Sequence, residues 1–205
     1  MEAWPASSRI GLMDGILSYG VAGVLGLAAW PLLEYASHGV VFHRMRTFAG
    51  SVHWDHHRNP ARVFISPLVS VPIVGLLWAL LTPLLGLWLA AAFLAGLVSG
   101  FVRYEYVHWR IHFRPARTAR EAALRSHHLA HHYVDPSAYF GVSVHWIDRA
   151  FGSLPERWRE DYATAATLPP LSGRSNLGSL VPPRPEGLAP VGEPEAVGES
   201  PRPRP

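Results

Sequence analysis

Cysteine and lysine are both missing from this 205-residue chain. Without cysteine there can be no disulfide, iron–sulfur cluster or thiolate-ligated haem, so redox chemistry here would need metal ions held by nitrogen and oxygen. All 18 basic residues are arginine, which with abundant Ala, Gly and Pro fits the codon bias of a GC-rich genome. No HExxH or HxxEH occurs, so no glutamate stands where zinc-protease hydrolysis needs its base. A soluble di-iron bundle would show two ExxH pairs and two further glutamates, and this chain has a single ExxH, Glu105-x2-His108. A sequence pI of 9.6 would suit nucleic acid. The arginines instead flank apolar runs, as the positive-inside rule describes, and no nucleic-acid partner is expected.

The apolar runs set the class. Residues 15–33 carry no charge, nor do the 40 residues 63–102. One helix crosses a bilayer in about 20 residues, so the longer run reads as two spans, with Thr82-Pro83 as the natural turn because proline cannot continue helix hydrogen bonding. Pro67 and Pro72 place the start of the second span near Leu68, or kink it. Arg44, Arg46, Arg58 and Arg62 follow the first span; Arg103, Arg110, Arg114, Arg117, Arg120 and Arg125 follow the third; only Arg9 precedes the first. That asymmetry puts both arginine-rich segments in the cytoplasm and the hairpin turn outside. The fold class expected is an all-α integral membrane protein with about three transmembrane helices and a cytosolic helical cap over 103–160. The first run leads straight into a histidine pair and lacks a basic start, so it is not read as a cleavable signal. The expected organisation is a short segment 1–9, a membrane-embedded domain 10–160 and a tail 161–205. The tail is crowded with proline, has no aromatics from Thr164 onward and cannot bury enough apolar surface to fold.

Histidine is what the chain has in excess. Ten of its twelve histidines fall in four boxes: His38-x4-His43, His53-x2-His56-His57, His108-x3-His112 and His128-x2-His131-His132. Imidazole is the commonest protein metal ligand, and all four boxes lie on the same side of the spans. Residues three or four apart share a helix face, so His108 pairs with His112, His53 with His56, and His128 with His131 and His132. The adjacent pairs His56-His57 and His131-His132 stand about 100° apart and can hold two different ions, or one ion from a helix end. His38 and His43 stand about 140° apart on a straight helix. They reach one ion only if the helix ends or bulges between them; otherwise they serve different ions. His127 is an alternative to His128, less favoured because His128-x2-His131-His132 repeats the second box. His145 reads as structural. Glu34 and Glu105, four and three residues before a boxed histidine, would accept an imidazole N–H or pair with arginine; Asp55 and Asp148 are weaker candidates for the same role. Trp54, Trp109, Trp146 and Trp158 suit a membrane-interface belt or an ordinary core. The metal candidates are His38, His43, His53, His56, His57, His108, His112, His128, His131 and His132, forming a dinuclear site.

Around the boxes, Leu32-Leu33-Glu34-Tyr35-Ala36-Ser37-His38 through Phe42-His43-Arg44, His53-Trp54-Asp55-His56-His57-Arg58-Asn59-Pro60 and Tyr106-Val107-His108-Trp109-Arg110-Ile111-His112 resemble the core of the fatty acid hydroxylase/sterol desaturase superfamily. So do Ser126 to His132, Tyr139-Phe140-Gly141-Val142-Ser143 and Trp146-Ile147-Asp148-Arg149-Ala150-Phe151-Gly152. Over about residues 28–155 the order and spacing look most like the fatty acid 2-hydroxylases. The resemblance implies an O2-dependent di-iron hydroxylase, with zinc as another occupant, in which two external electrons and O2 replace a C–H hydrogen of a bilayer lipid by hydroxyl. The ten boxed histidines carry over as metal ligands, and no further catalytic residue is implied. Relatives often fuse a cytochrome b5 domain and often have four spans. A separate electron donor, such as cytochrome b5 or a ferredoxin, is therefore expected, and pairing as a homo-oligomer would suit three spans. The expected location is a bacterial inner membrane. Carotenoid or sterol hydroxylation or desaturation, and metal binding without catalysis, are the alternatives.

Overall fold

The computed structural model describes residues 6–171, with side chains from residue 15. The described residues hold seven α-helices and one π-helical turn, with no strand: α1 (Ala6–Ala36), the π turn (Ser37–Phe42), α2 (Phe48–Arg58), α3 (Pro67–Leu85), α4 (Leu87–Phe113), α5 (Ala119–Tyr133), α6 (Trp146–Ala150) and α7 (Trp158–Ala166). Three of these are long and apolar enough to cross a membrane: Gly15–Phe42, Pro67–Leu85 and Leu87–Phe113. The chain is an integral membrane protein.

Bilayer length explains the division of labour. At 1.5 Å rise, α3 is about 28 Å long and matches a hydrocarbon core of about 30 Å. The 27 residues of α4 reach about 40 Å, so its last turns outrun the bilayer. His108 and His112 ride on that overhang, where the helix of the third span continues into the expected cap.

Helices in lipid gain little from apolar burial against one another and associate through close packing at small residues. Such packing joins α1 to α4. A Cβ on Gly26 would stand 1.9 Å from the Phe93 carbonyl oxygen, and one on Gly96 would stand 1.8 Å from that of Gly23. Leu17, Val24, Leu68 and Leu84 remain exposed on outward faces, as lipid-facing residues should be.

The hairpin turn is not at Thr82-Pro83. Helix α3 runs through Pro83 to Leu85, and the reversal is at Gly86, with φ of +76°. A proline near a helix C-terminus removes one N–H bond, and lipid-embedded helices tolerate this through local adjustment. Gly86 can take the left-handed conformation without a Cβ penalty. The start of α3 agrees with expectation: Ser66 caps it and Pro67 occupies the first turn, where a missing N–H costs nothing.

The cap packs α5 against α7 and seats both on the end of α4. Tyr104 and Ile111 of α4 join Leu124, Leu129, Ala130, Ala138, Tyr139, Val142 and Ala165 in one buried cluster. Beyond α7, Arg125 donates to the Leu168 carbonyl at 2.7 Å and the Leu171 N–H donates to the His112 carbonyl at 2.7 Å. The ordered cap thus runs past the expected boundary at residue 160. The remainder of the expected tail, from residue 172, and residues 1–5 lie outside the described residues.

Candidate metal centre

Four helices bring the ten boxed histidines together, and each supplies them at a helix end. The π turn solves the first box. Its i→i+5 bonding appears as Met45 N–H to the Val40 carbonyl at 3.0 Å. That repeat brings residues five apart onto one face, so His38 and His43 converge where a straight helix would splay them. Helix α2 begins at Thr47, whose hydroxyl accepts the Gly50 N–H at 2.9 Å. Helix α5 begins at Thr118, whose hydroxyl accepts the Glu121 N–H at 3.2 Å, while Glu121 accepts the Arg117 N–H at 2.8 Å. These caps fix where each helix starts and therefore which way its histidines face.

The rings sort into two groups: His38, His43, His53, His57 and His131; and His56, His108, His112, His128 and His132. Within each group one nitrogen per ring lies within 4.8 Å of all the others. In the first, His53 Nε2 stands 3.1 Å from His38 Nε2, 2.9 Å from His43 Nε2 and 3.0 Å from His57 Nε2. His131 Nε2 is 3.1 Å from both His43 Nε2 and His57 Nε2. One ring nitrogen carries one proton or one lone pair, so it cannot hydrogen-bond three neighbouring nitrogens at once. A shared cation would account for the crowding. With metal–imidazole bonds of about 2.0–2.1 Å, ligands at right angles stand about 3.0 Å apart and opposed ligands about 4.2 Å apart. In the second group His112 Nε2 lies 3.1 Å from His128 Nε2, and both ring nitrogens of His108 and His132 are buried without a hydrogen-bond partner. Unsatisfied buried imidazoles at this density fit a metal site.

Two tautomers follow from the geometry. His38 Nδ1 lies 2.6 Å from the Phe140 carbonyl and His131 Nδ1 lies 2.7 Å from the Ala138 carbonyl. A carbonyl only accepts, so each Nδ1 carries the proton and each Nε2 offers its lone pair to the first group. Burial, reinforced by neighbouring imidazoles, holds the rings neutral outside the spans. His43 and His56 are lowered to about 3 from 6.5 by burial first. His53, His57, His128, His131 and His132 are lowered well below 6.5 for the same leading reason. Neutral imidazole is the form a metal ion binds.

A cavity of about 580 Å³ opens between α1, α3 and α4 beside the first group. Its walls include Leu33, Phe42, Val69, Val74, Leu97 and Phe101, and His38 stands in its lining. From His38 to Trp30 along α1 is eight residues, or about 12 Å of helix, so the cavity runs from the histidines well into the spans.

The fatty acid hydroxylase family matches residues 23–153. The chain belongs to this family. A dihydroceramide fatty acyl 2-hydroxylase of Arabidopsis thaliana is 29% identical over 145 residues, covering 66% of this hydroxylase-family chain and 61% of that protein. The human fatty acid 2-hydroxylase is 28% identical, covering 65% of this chain and 40% of its own length. A ceramide very long chain fatty acid hydroxylase of Schizosaccharomyces pombe is 30% identical, covering 63% and 41%. This family member thus spans between about two fifths and three fifths of these relatives. Among solved structures, full-length Scs7p, in which only the hydroxylase domain is visible, matches with a TM-score of 0.58 at 27% identity, covering 71% of this chain and 64% of that one.

The structure redistributes several residues read from the sequence. His53 joins His57 rather than His56, and His128 joins His132 rather than His131. The reason is rotation: residues four apart differ by about 40° and residues three apart by about 60° to the other side. Each HxxHH box therefore straddles the two groups, and the adjacent pairs serve different ones. His127 belongs to neither group; its Nε2 donates to Asp148 at 2.8 Å and its Nδ1 lies 2.5 Å from the Tyr162 hydroxyl.

The two glutamates take neither of their expected roles. Glu34 accepts the Val142 and Ser143 N–H groups at 2.6 and 2.8 Å, the Trp30 indole N–H at 2.9 Å and the Ser143 hydroxyl. Glu105 accepts the Ile65 N–H at 3.1 Å. Both hold backbone, and among the described residues neither meets an imidazole or an arginine. Asp55 sits at the surface with Arg58 at 2.9 Å. Trp54 lies edge-on to His43, with ring centres 5.1 Å apart. What sequence reasoning missed are the carbonyls of Ala138 and Phe140, since backbone acceptors leave no residue-type signature. The apolar run Ala138-Tyr139-Phe140-Gly141-Val142 inside a polar cap was the available hint.

Proposed function

We propose that this chain is a membrane-bound, O2-dependent lipid hydroxylase acting on fatty acyl chains, with C2 as the position attacked. The observation that carries the reading is His38, which belongs to the first histidine group and also lines the cavity in the spans. The named activities of the relatives support the same substrate class. The ten boxed histidines are the proposed ligands of two metal ions, five to each. Iron is the proposed resident ion; imidazole alone would accept zinc or copper equally. When bound, that centre supplies O2 activation with two electrons from a separate carrier such as cytochrome b5 or a ferredoxin, giving R–H + O2 + 2e⁻ + 2H⁺ → R–OH + H2O.

The residues of this chain supply the rest. Neutral rings present lone pairs inward, the Phe140 and Ala138 carbonyls fix two of them, and the apolar walls exclude water from the alkyl chain. Because the cavity extends about 12 Å beyond His38 along α1, an acyl tail would lie in the spans and bring a carbon near its polar head to the histidines. That favours attack next to the carboxyl end over attack at the terminal methyl. The arginine asymmetry supports a site on the cytoplasmic side of the membrane, and a bacterial inner membrane is the proposed location. The organisation proposed is a short segment 1–9, a membrane-embedded hydroxylase unit from residue 10 that continues past residue 160 through α7, and a proline-rich tail.

Mass spectrometry of hydrolysed lipids tests this, comparing cells that express the chain with a competent electron donor against a His131→Ala control. New 2-hydroxy fatty acids in the wild type alone are expected. Hydroxylated carotenoids or sterols instead would overturn the acyl assignment, and no new product in any lipid class would leave a metal-binding protein without catalysis.

A further inference from the structure

One short irregular segment, residues 138–143, connects the first histidine group to two buried carboxylates. Its carbonyls at Ala138 and Phe140 accept from His131 and His38. Its N–H groups at Phe140 and Gly141 both donate to Asp148, at 2.7 Å each, and those at Val142 and Ser143 donate to Glu34. The Phe140–Gly141 peptide is therefore held from both sides: its N–H, that of Gly141, by Asp148, and its carbonyl, that of Phe140, on His38. Tyr139 beside it is fully buried with φ of +61°, a conformation that persists in a non-glycine residue only when surroundings enforce it.

Asp148 is itself fixed from behind. It is fully buried, accepts from His127 Nε2 at 2.8 Å and from the Ser153 hydroxyl at 2.6 Å, and His127 in turn meets Tyr162. Burial pushes its carboxyl up, but the hydrogen bonds from His127, Ser153 and Gly141 outweigh this and hold it below its ordinary value. None of these atoms belongs to either histidine group. No comparable bond from this assembly reaches His108, His112, His128 or His132.

We propose that Asp148, backed by His127 and Tyr162, is a positioning residue for the first metal ion alone, acting through the Phe140 peptide to hold the tautomer and direction of His38. The proposal rests on the metal reading given above. Partners that orient a metal-bound imidazole typically contribute about 10–100-fold to metal affinity, and the effect should be confined to the group that the segment touches.

The test is metal binding by purified full-length protein in detergent, with ions per chain counted and each site's affinity measured against a competing chelator, alongside the thermal midpoint. Wild type should bind two ions. Asp148→Asn keeps the shape and replaces one of the two acceptor oxygens facing the Phe140 and Gly141 N–H groups by a donor; it should weaken one site by about 10–100-fold and leave the other within about two-fold. His38→Ala in the same assay identifies which site is the first. Tyr162→Phe, a milder change for the case in which Asp148→Asn does not fold, should weaken that same site several-fold without touching the other. Equal weakening of both sites, weakening only of the second, or a lowered thermal midpoint with both affinities intact would overturn the positioning role. Wild type that binds no metal would overturn the metal reading, and the proposal with it.

Discussion

The two histidine groups are alike in size, and they differ in what holds their rings. In the first, His38 and His131 are tied to backbone carbonyls and the π turn sets His43. In the second, Nδ1 of His112 and of His128 and both nitrogens of His108 and His132 have no hydrogen-bond partner among the described residues. The first group is oriented by the fold; the second is oriented by ring packing among α2, α4 and α5. The difference teaches where a metal ion matters most. Buried polar atoms left unpaired are costly, so the second group gains more of its order from the ion it would hold.

Replacing one ligand in each group tests that contrast most severely. His131→Ala and His128→Ala are each expected to lower hydroxylated lipid by more than about 100-fold, above the range for outer partners, while metal analysis finds one ion lost from the corresponding group. Two ions retained in either variant would break the assignment. Stripping metal with a chelator should lower the thermal midpoint of the wild type, and hydrogen exchange should rise more in the second-group turns of α4 and α5 than in segment 138–143; the reverse order would break the contrast.

Acidification acts on both groups with a fixed sign. The folded-state values are depressed from 6.5, to about 3 for His43 and His56. Between those values the unfolded chain binds protons that the folded chain does not, so this stability is fully present above about pH 6.5 and falls as pH drops toward 3. The thermal midpoint of metal-free protein should therefore be lower at pH 5 than at pH 7.5, and a rise would contradict the burial of neutral rings.

Smaller effects separate the spans from the site. Gly26→Leu places a side chain where even a Cβ meets the Phe93 backbone at 1.9 Å. It should cost about 1–3 kcal/mol or more as overpacking, read as a lower melting temperature in detergent. Gly75 lines the cavity, and a Cβ there meets nothing within 4 Å. Gly75→Phe should leave melting unchanged while raising KM for long acyl chains, and unchanged KM would place the alkyl chain elsewhere. Thr47→Ala removes the cap of α2 and should cost about 1 kcal/mol, with metal stoichiometry retained.

The spans and the clustering of the ten histidines were legible from residue types and spacing, because a bilayer demands apolar runs of fixed length and a metal site would demand clustered donors. Tertiary structure decided the rest. It placed the turn at Gly86 instead of Pro83, since lipid-embedded helices accept a proline that a water-exposed one would not. It divided the HxxHH boxes between two groups, because a helix face is only a direction until a neighbouring helix defines where it points. And it gave Glu34 and Asp148 to the backbone of residues 140–143, contacts between residues up to 109 positions apart that local pattern does not encode.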